Sequence, residues 1–377
     1  MDIIRAIRKN LINIPGWSTK RRIVVIESDD WGSIRIPSRE VYDLLLQNGV
    51  PVDSFYFTRN DCLESEKDLT FLFEILGSFK DKNLNHPVIT ANAVVANPDF
   101  KKISDTGKRE YHYELITDTY TKYPDHSKVM QLWKEIGINQ KMLWPQFHGR
   151  EHLNVEYWMK IINSDVFSER LAFENDTILG ISVPGEPDQD LNYMAAFEYN
   201  SHEQMIAIEE ITADGLRLFN QIFGFVSHSF VPSCSIQGAH LDSILSKGGV
   251  LFHQCGQQFR PAGNGKLKTI NKFWGQTNNL GQIYWRRNCT FEPSRNHDFD
   301  WIDSCLAEMS IAFRWGKPAV INSHRVNYIG SISPENREKS LKSLKRLLHQ
   351  ALQKWPDIEF MTSEDLGNLI LQTRKLT

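Results

Sequence analysis

The sequence predicts an α/β fold in which parallel strands alternate with helices. Short apolar runs rich in valine, isoleucine and phenylalanine recur between longer segments of helical periodicity, a rhythm typical of parallel strands joined by helical crossovers. The runs are IVVIE at 23–27, PVITANAVV at 87–95, GFVSHSFV at 224–231, GVLFH at 249–253 and PAVINSH at 318–324. With 377 residues, 41% of them hydrophobic and 24% charged, the chain is long enough to bury a large core.

Two of the predicted helices have clear terminal signals. Ser201 followed by Gln204 predicts a capping box at the start of one helix, and Gly224 closes the same segment. Ser333 before Pro334 opens a second helix near the end of the chain. These signals place helices between the predicted strands, as the α/β interpretation requires.

The chain shows no repeat, low-complexity tract or Ser/Gly-rich linker, so we expect one domain over residues 1–377. Residues 97–141 and 174–200 are polar and turn-rich and are predicted to be insertions. Residues 1–20 are expected to contain an N-terminal helix, because apolar residues recur there at helical spacing. A helix docked on the domain is the favoured interpretation, and a membrane-surface helix is the alternative.

Composition and charge argue against several classes of protein. Lys and Arg total 43 against 46 Asp and Glu, a net charge of -3 that lacks the basic footprint of a nucleic-acid-binding protein. The five cysteines show no C-x-x-C spacing, which favours a reducing compartment over a disulfide framework. No apolar run is long enough for a signal peptide or a transmembrane segment. We therefore expect a cytoplasmic protein, whose oligomeric state the sequence leaves open.

Two adjacent carboxylates follow the first predicted strand, in ESDDWG at residues 27–32. Side chains alternate along a strand, so Asp29 and Asp30 face one point only if the chain leaves the strand there, which Trp31 and Gly32 permit. Parallel barrels place active sites at such strand ends. Two close carboxylates disfavour each other's ionisation unless a cation or donor lies between them. The alternative is an ordinary polar strand end.

Three histidines add further candidates. His148 and His152, in QFHGREHLN at residues 146–154, share one face of a helix or of a strand-to-helix turn. Such pairs are a common zinc arrangement, although with 12 histidines in the chain the spacing also arises by chance. His324, in INSHRVN at residues 321–327, ends another strand-like run, where it would be a general acid or a structural residue. Together, three strand ends would bring these histidines and the two aspartates to one rim.

This combination resembles the polysaccharide deacetylase family, the NodB-homology carbohydrate esterases. The first motif of the family is a strand ending in T-F-D-D, matched here by ESDD at residues 27–30. The second motif is H-S/T-x-x-H, matched by His148 and His152, with Gly149 where serine or threonine is usual. The last motif, a strand ending in L-x-H, is similar to INSH at residues 321–324. The motifs keep the family's order along nearly the whole chain.

The resemblance implies a role for each residue. Asp30, His148 and His152 would bind a divalent metal ion, Asp29 would be the catalytic base and His324 the catalytic acid. The implied fold is a distorted barrel of seven or eight β/α units of the glycoside hydrolase and deacetylase type. One carboxylate and two imidazoles leave positions on the ion open, as in hydrolytic zinc sites, although cobalt, nickel and manganese accept the same ligands.

The sequence departs from the family at its middle motif, R-x-P. Only FVP at residues 230–232 corresponds to it, so the arginine that orients the catalytic base is missing. Arg150, Arg295 and Arg325 are the candidates to replace that arginine in space.

Substrate contacts are predicted from position and chemistry. Trp31 and Trp144 lie close to the motifs, and flat aromatic faces suit sugar rings, although most tryptophans fill cores. Pro232 and Ser233 stand where the substrate-contacting motif of the family falls, and Arg325 follows the predicted acid.

The sequence thus predicts a metal-dependent hydrolase that removes an N-acetyl or O-acyl group from a sugar or glycan. A glycoside hydrolase on the same barrel is one alternative, and it would pair two carboxylates among Glu27, Asp29, Asp30 and Glu151. A glycan-binding protein without catalytic activity is the other.

Overall fold

A computed structural model describes residues 3–183, 192–261 and 266–374, with side chains from residue 7 onward. Part of the predicted insertion at 174–200, and the first two residues of the predicted N-terminal segment, lie outside the described residues. Within this part of the chain no helix combines the length and the apolar character needed to cross a bilayer.

The described strands form one large sheet and two small hairpin-like pairs. They are β1 (Ile23–Trp31), β2 (Ile89–Val94), β3 (Ala96–Pro98), β4 (Tyr113–Leu115), β5 (Leu143–Gly149), β6 (Ser229–Phe230), β7 (Phe252–His253), β8 (Gln257–Pro261), β9 (Leu267–Asn271), β10 (Ile283–Tyr284), β11 (Cys289–Thr290), β12 (Ala319–His324) and β13 (Glu359–Phe360).

Helices cover the outside of the sheet. They are α1 (Ile3–Asn13), α2 (Arg39–Gln47), α3 (Tyr56–Asn60), α4 (Glu66–Gly77), α5 (Phe100–Asp105), α6 (Ile116–Lys122), α7 (Val129–Leu132), α8 (Val155–Ile162), α9 (Phe167–Phe173), α10 (His202–Phe223), α11 (Leu241–Lys247), α12 (Trp301–Arg314), α13 (Pro334–Lys354) and α14 (Ser363–Arg374). A π-helical turn at Trp133–Ile138 extends α7, and short 3-10 turns lie at Ser233–Ser235, Pro293–Arg295 and Arg325–Asn327.

The large sheet curls into a barrel, as predicted. Among the described residues its strands follow the order β10, β7, β6, β5, β2, β1, β12 and β11, all parallel, and β13 pairs with the start of β1. The two edge strands, β10 and β11, are consecutive in the chain. Residues 285–288 pass between these edges and bond to both sides, since Trp285 N donates to His253 O and Asn288 N to Val320 O. This segment forms the seam of the barrel.

The predicted elements are found with small changes in length. β1, β2 and β12 coincide with predicted runs, whereas β6 and β7 are only two residues long. Ser201 caps α10 by accepting a hydrogen bond from Gln204 N, and Gly224 ends that helix with a left-handed φ of 80°. The Gln204 side chain, however, accepts from Asn200 N rather than from the cap residue, so the capping box is shifted by one residue.

The inward face of β1 changes from apolar to polar along the strand. Ile23 and Val25 belong to a buried apolar cluster with Leu366 of α14, which closes one end of the barrel. Glu27 and Asp29 continue the same face, because side chains two apart in a strand point the same way. The charged groups therefore gather at the carboxyl end of the strand, where the barrel is open.

A polar contact holds the part of the N-terminal helix whose side chains are described. Lys9 of α1 forms an ion pair with Glu308 of α12, with 3.1 Å between Nζ and Oε1. The apolar residues between the charges point outward instead, since Ile7, Leu11 and Ile14 are 56%, 60% and 49% exposed. The helical spacing predicted the helix correctly, but it does not mark the docked face.

Candidate active site

Asp29 and Asp30 reach the same opening because the end of β1 is irregular. Asp30 has a left-handed φ of 75°, and the pairing register with β2 shifts between Ser28 and Trp31. Such a bulge re-aims side chains at a strand end, so two consecutive carboxylates both line one cavity. The predicted departure of the chain from the strand is thus found at Asp30.

The two histidines come from the end of β5 and the turn that follows it. His148 is the penultimate residue of β5, and His152 lies in the turn before α8. Both are buried, and their ring centroids are 5.2 Å apart. The pair therefore occupies the strand-to-helix turn that its spacing allowed.

Asp30, His148 and His152 form a buried group whose ligand atoms all lie within 4.8 Å of one another. Asp30 Oδ1 is 3.5 Å from His148 Nε2 and 3.2 Å from His152 Nε2. His148 Nδ1 contacts the Val231 carbonyl at 2.7 Å, which only accepts, so the proton is on Nδ1. His148 Nε2 is then a buried lone pair without a hydrogen-bond partner in the described structure.

These features fit a metal ion. Burial lowers the pKa of His152, which keeps the ring neutral as a ligand must be. A carboxylate and two neutral imidazoles, one of them held by a backbone carbonyl, match the donor set and outer support of a divalent metal site.

The backbone conformation at residue 149 explains why glycine stands where the second motif usually has serine or threonine. Its φ is +148°, and a Cβ built there would lie 2.8 Å from the Glu151 carbonyl oxygen. We expect Gly149→Ser to lower the free energy of unfolding by about 1–3 kcal/mol and to weaken metal binding, because the strained turn would displace His148. Urea unfolding and metal analysis would measure both effects.

Gly49 offers the matched control, since it also has a positive φ, +83°, but a Cβ there meets nothing within 4 Å. Gly49→Ser should cost about 1–2 kcal/mol, the backbone strain alone, and should leave metal binding intact. Equal metal affinity in the two variants would contradict the steric argument.

Arg287 is the arginine that the described structure places on Asp29. Its Nη1 donates to Asp29 Oδ2 at 2.6 Å and its Nη2 to Asp29 Oδ1 at 2.8 Å, while Nε donates to Glu27 Oε2 at 2.6 Å. Arg287 comes from the barrel seam, 258 residues away from Asp29. The sequence analysis missed it, because no motif or spacing points to that position.

A polar layer inside the barrel holds this ion pair. Asn92 of β2 donates to Asp29 Oδ1 at 2.7 Å and to Gln254 Oε1 at 2.8 Å. Gln254 also accepts from Arg287 Nη2 at 3.0 Å. Burial alone raises the pKa of Asp29, but the charge and hydrogen bonds of Arg287 outweigh it and lower the pKa to about 2. Asp29 is therefore ionised.

Glu292 orients His324. Its Oε1 lies 2.6 Å from His324 Nδ1, and Asn327 Nδ2 donates to its Oε2 at 2.8 Å. His324 Nε2 is 3.9 Å from Asp29 Oδ2, so the ring turns this nitrogen toward the site. Burial alone lowers the pKa of His324, but Glu292 outweighs it and raises the pKa to about 10. The sequence analysis missed Glu292 because it precedes His324 by 32 positions without a motif.

The predicted base, the predicted acid and the three predicted ligands all line one cavity of about 880 Å³, a volume within the range of ligand sites. Its walls also include aromatic residues that the sequence analysis did not select: Phe55, Phe57, Phe259 and Trp301.

Both tryptophans predicted to contact substrate lie elsewhere. Trp31 is 1% exposed and packs in the core against Trp133 and Tyr328, because the bulge turns it away from Asp30. Trp144 does not line the cavity; it stacks on Phe225 and donates its indole N–H to Glu364 of α14, at the closed end of the barrel. Proximity in sequence was misleading here, because the bulge redirects Trp31, and Trp144 lies near the start of β5 whereas the cavity is at the end of that strand.

The other three residues predicted to contact substrate differ in where they lie. Pro232 lines the cavity. Ser233 is 1% exposed, and its hydroxyl accepts from Ala196 N, which makes it a structural residue in this arrangement. Arg325 is fully buried and pairs with Asp61 and Glu64, so it does not face the cavity.

None of the three arginines considered as replacements contacts Asp29. Arg325 is committed to its buried carboxylates, and Arg150 pairs with Glu151 and Asp214. Arg295 lines the cavity, but the only guanidinium that the described structure places on Asp29 is that of Arg287.

No protein-family model matches the chain, and no curated protein matches its sequence. Solved structures do resemble it in fold. A probable polysaccharide deacetylase from Pseudomonas aeruginosa PAO1 has a TM-score of 0.43 at 11% identity, covering 93% of this chain and 91% of that one. PuuE allantoinase gives the same values. A 4-alpha-glucanotransferase from Thermococcus litoralis gives 0.42 at 9% identity, covering 92% of this chain and 40% of that one. A fold does not by itself define a function.

Proposed function

We propose that this protein is a metal-dependent hydrolase that removes an N-acetyl or O-acyl group from a sugar or glycan. The observation that supports this most directly is the buried group of Asp30, His148 and His152, which shares one cavity with Asp29 and His324. Zinc is the proposed ion, because the donors are one carboxylate and two imidazoles.

Each remaining residue has a separable task. A divalent ion held by Asp30, His148 and His152 would be a Lewis acid, able to lower the pKa of water and to polarise a carbonyl. Asp29, ionised and held by Arg287, accepts the proton of the attacking water. The same arginine reduces the basicity of Asp29, so Asp29 can accept a proton only from an acidified donor. His324, protonated and held by Glu292, donates a proton to the departing amine or alcohol.

The site favours hydrolysis of an acyl group over cleavage of a glycosidic bond. Glu27 is fully buried and bonded to Trp285, Arg287 and Ser363, and it does not line the cavity. Glu151 is bonded to Arg150 and Tyr111 and is likewise outside the cavity lining. Of the four carboxylates considered for a glycosidase pair, only the consecutive Asp29 and Asp30 remain.

The direct test is acetate release from N-acetylated sugars by the zinc-loaded protein, with and without chelator. We expect release that chelation abolishes and zinc restores. Asp29→Asn should retain the metal and lose activity by about 10²–10⁴-fold, since only the proton acceptor is removed. Cleavage of a glycosidic bond that survives chelation, without acetate release, would favour the glycosidase alternative, and sugar binding without either reaction would favour the binding protein. The cytoplasmic location stays a prediction, which cell fractionation tests.

The pairing of Glu292 with His324 predicts a pH effect. In the native protein the pKa of His324 is raised to about 10, so its acid form persists through neutral pH. Glu292→Gln removes the charge that raises this pKa, and the alkaline limb of kcat/KM should move to lower pH by about 1–3 units. Glu335→Gln, an exposed carboxylate on α13, should not move it. An unchanged alkaline limb in Glu292→Gln would remove His324 from the role of acid.

A further inference from the structure

The cavity carries positive charge that the proposed chemistry does not use. Arg8, Arg286 and Arg295 all line it. The other cationic side chains of the lining are paired with carboxylates: Arg287 with Asp29 and Glu27, Lys9 with Glu308, and Arg35 with Asp61. Arg8, Arg286 and Arg295 differ from these, because the described residues place no carboxylate oxygen within 4.0 Å of their guanidinium groups.

Arg286 is the best defined of these cations. It is half-buried, and its guanidinium is oriented by two neutral acceptors: Nε donates to the Lys272 carbonyl at 2.9 Å, and Nη2 to Asn271 Oδ1 at 3.0 Å. Gly256 makes room for its stem, because a Cβ at that glycine would lie 2.7 Å from Arg286 Cγ. A guanidinium that is held in place with its charge uncompensated is ready to bind an oxyanion.

Arg8 strengthens this interpretation. Arg8 and Arg286 line the same cavity, and the charge of Arg8 adds to burial in lowering the pKa of Arg286. Two like charges on one wall are unfavourable until an anion binds. The chain as a whole carries a net charge of -3, so the positive wall is a local feature.

We infer that the part of the cavity lined by Arg286 and Arg8 binds an oxyanion. This oxyanion is a phosphate or carboxylate attached to the N-acetylated sugar. This inference rests on the proposed function for the identity of the sugar, but not for the binding of the anion. The volume of about 880 Å³ leaves room for a charged group beyond one sugar ring. The substrate is then an anionic sugar derivative rather than a neutral glycan.

Binding of the anion can be measured without turnover. Titration of the metal-free protein with inorganic pyrophosphate should show salt-sensitive binding that weakens about 10–100-fold in Arg286→Ala, the loss expected for charged hydrogen bonds. Arg39→Ala removes a charge from the exposed helix α2 and should leave binding unchanged. Equal binding by wild type and Arg286→Ala would overturn the inference.

A second experiment measures acetate release by the zinc-loaded protein from three sugars: N-acetylglucosamine, N-acetylglucosamine 1-phosphate and N-acetylmuramic acid. A higher kcat/KM for the phosphate or for the carboxylate, lost in Arg286→Ala, supports the inference and identifies the oxyanion. Equal rates on all three, unchanged by the variant, overturn it while leaving the deacetylase proposal standing. If no sugar releases acetate but pyrophosphate binding depends on Arg286, the anion site stands and the proposed function fails.

Discussion

Replacing His148 with alanine is expected to remove both the bound metal and the acetate-releasing activity. Among the described residues His148 Nε2 has no hydrogen-bond partner, and its other nitrogen is held by the Val231 carbonyl, so the ring presents a buried lone pair to the proposed ion. A Lewis acid contributes several kcal/mol to such a hydrolysis, so kcat should fall on the order of 10³-fold or more. Metal analysis and acetate release, measured on the same preparation, check both effects.

Asp30→Ala should behave in the same way, since Asp30 contacts both imidazoles. The matched control is His228→Ala, because His228 pairs with Glu364 and does not line the cavity. That variant should keep its metal and its activity. Full metal content in His148→Ala, with an unchanged melting temperature, would show that the ion lies elsewhere and would end the proposed ligand set.

Removing Arg287 is expected to have the largest effect on stability. Its guanidinium bonds two buried carboxylates, Glu27 and Asp29, and Glu27 is 0% exposed. Deleting one partner of a buried ion pair leaves an uncompensated charge and typically costs about 3–5 kcal/mol. We therefore expect Arg287→Ala to lower the free energy of unfolding by about that amount at neutral pH, measured by urea denaturation.

The loss of stability caused by Arg287→Ala should become smaller as the pH falls. Without Arg287, the pKa of Glu27 in the folded state should rise further above its unfolded value, because burial already raises it. The penalty is then absent below the unfolded pKa of about 4 and grows as the pH rises. Arg22→Ala, which breaks an exposed pair with Asp357, is the control and should change stability little at any pH. Equal losses in the two variants would contradict the buried network.

The local features of the site could be read from the sequence. The sequence predicted that the chain leaves a strand near Asp29 and Asp30, that His148 and His152 lie at a strand-to-helix turn and that His324 ends a strand, because polar residues follow each apolar run. Parallel strands bring their carboxyl ends to one edge, so motifs far apart in the chain meet at one opening. The alternation of strands and helices predicted parallel strands with helical crossovers, and the family resemblance implied that they close into a barrel.

The side chains that bond to these residues could not be predicted from the sequence. Arg287 reaches Asp29 only because the barrel seam passes between β10 and β11, and nothing local marks that segment. Trp31 and Trp144 were predicted to contact substrate because they are near the motifs, but the bulge in β1 turns Trp31 into the core, and Trp144 lies near the start of β5 beside Glu364 of α14. Distance along a chain does not determine which way a side chain faces.

The amino-acid pattern alone was sufficient for the α/β architecture and for the five polar side chains at its rim, since periodicity and short motifs are local properties. Three-dimensional packing alone decided the state of those groups. Arg287 keeps Asp29 charged, Glu292 keeps His324 protonated, and burial keeps His152 neutral. Ionisation depends on solvent exclusion and on charges within a few ångströms, and only the folded chain brings these together.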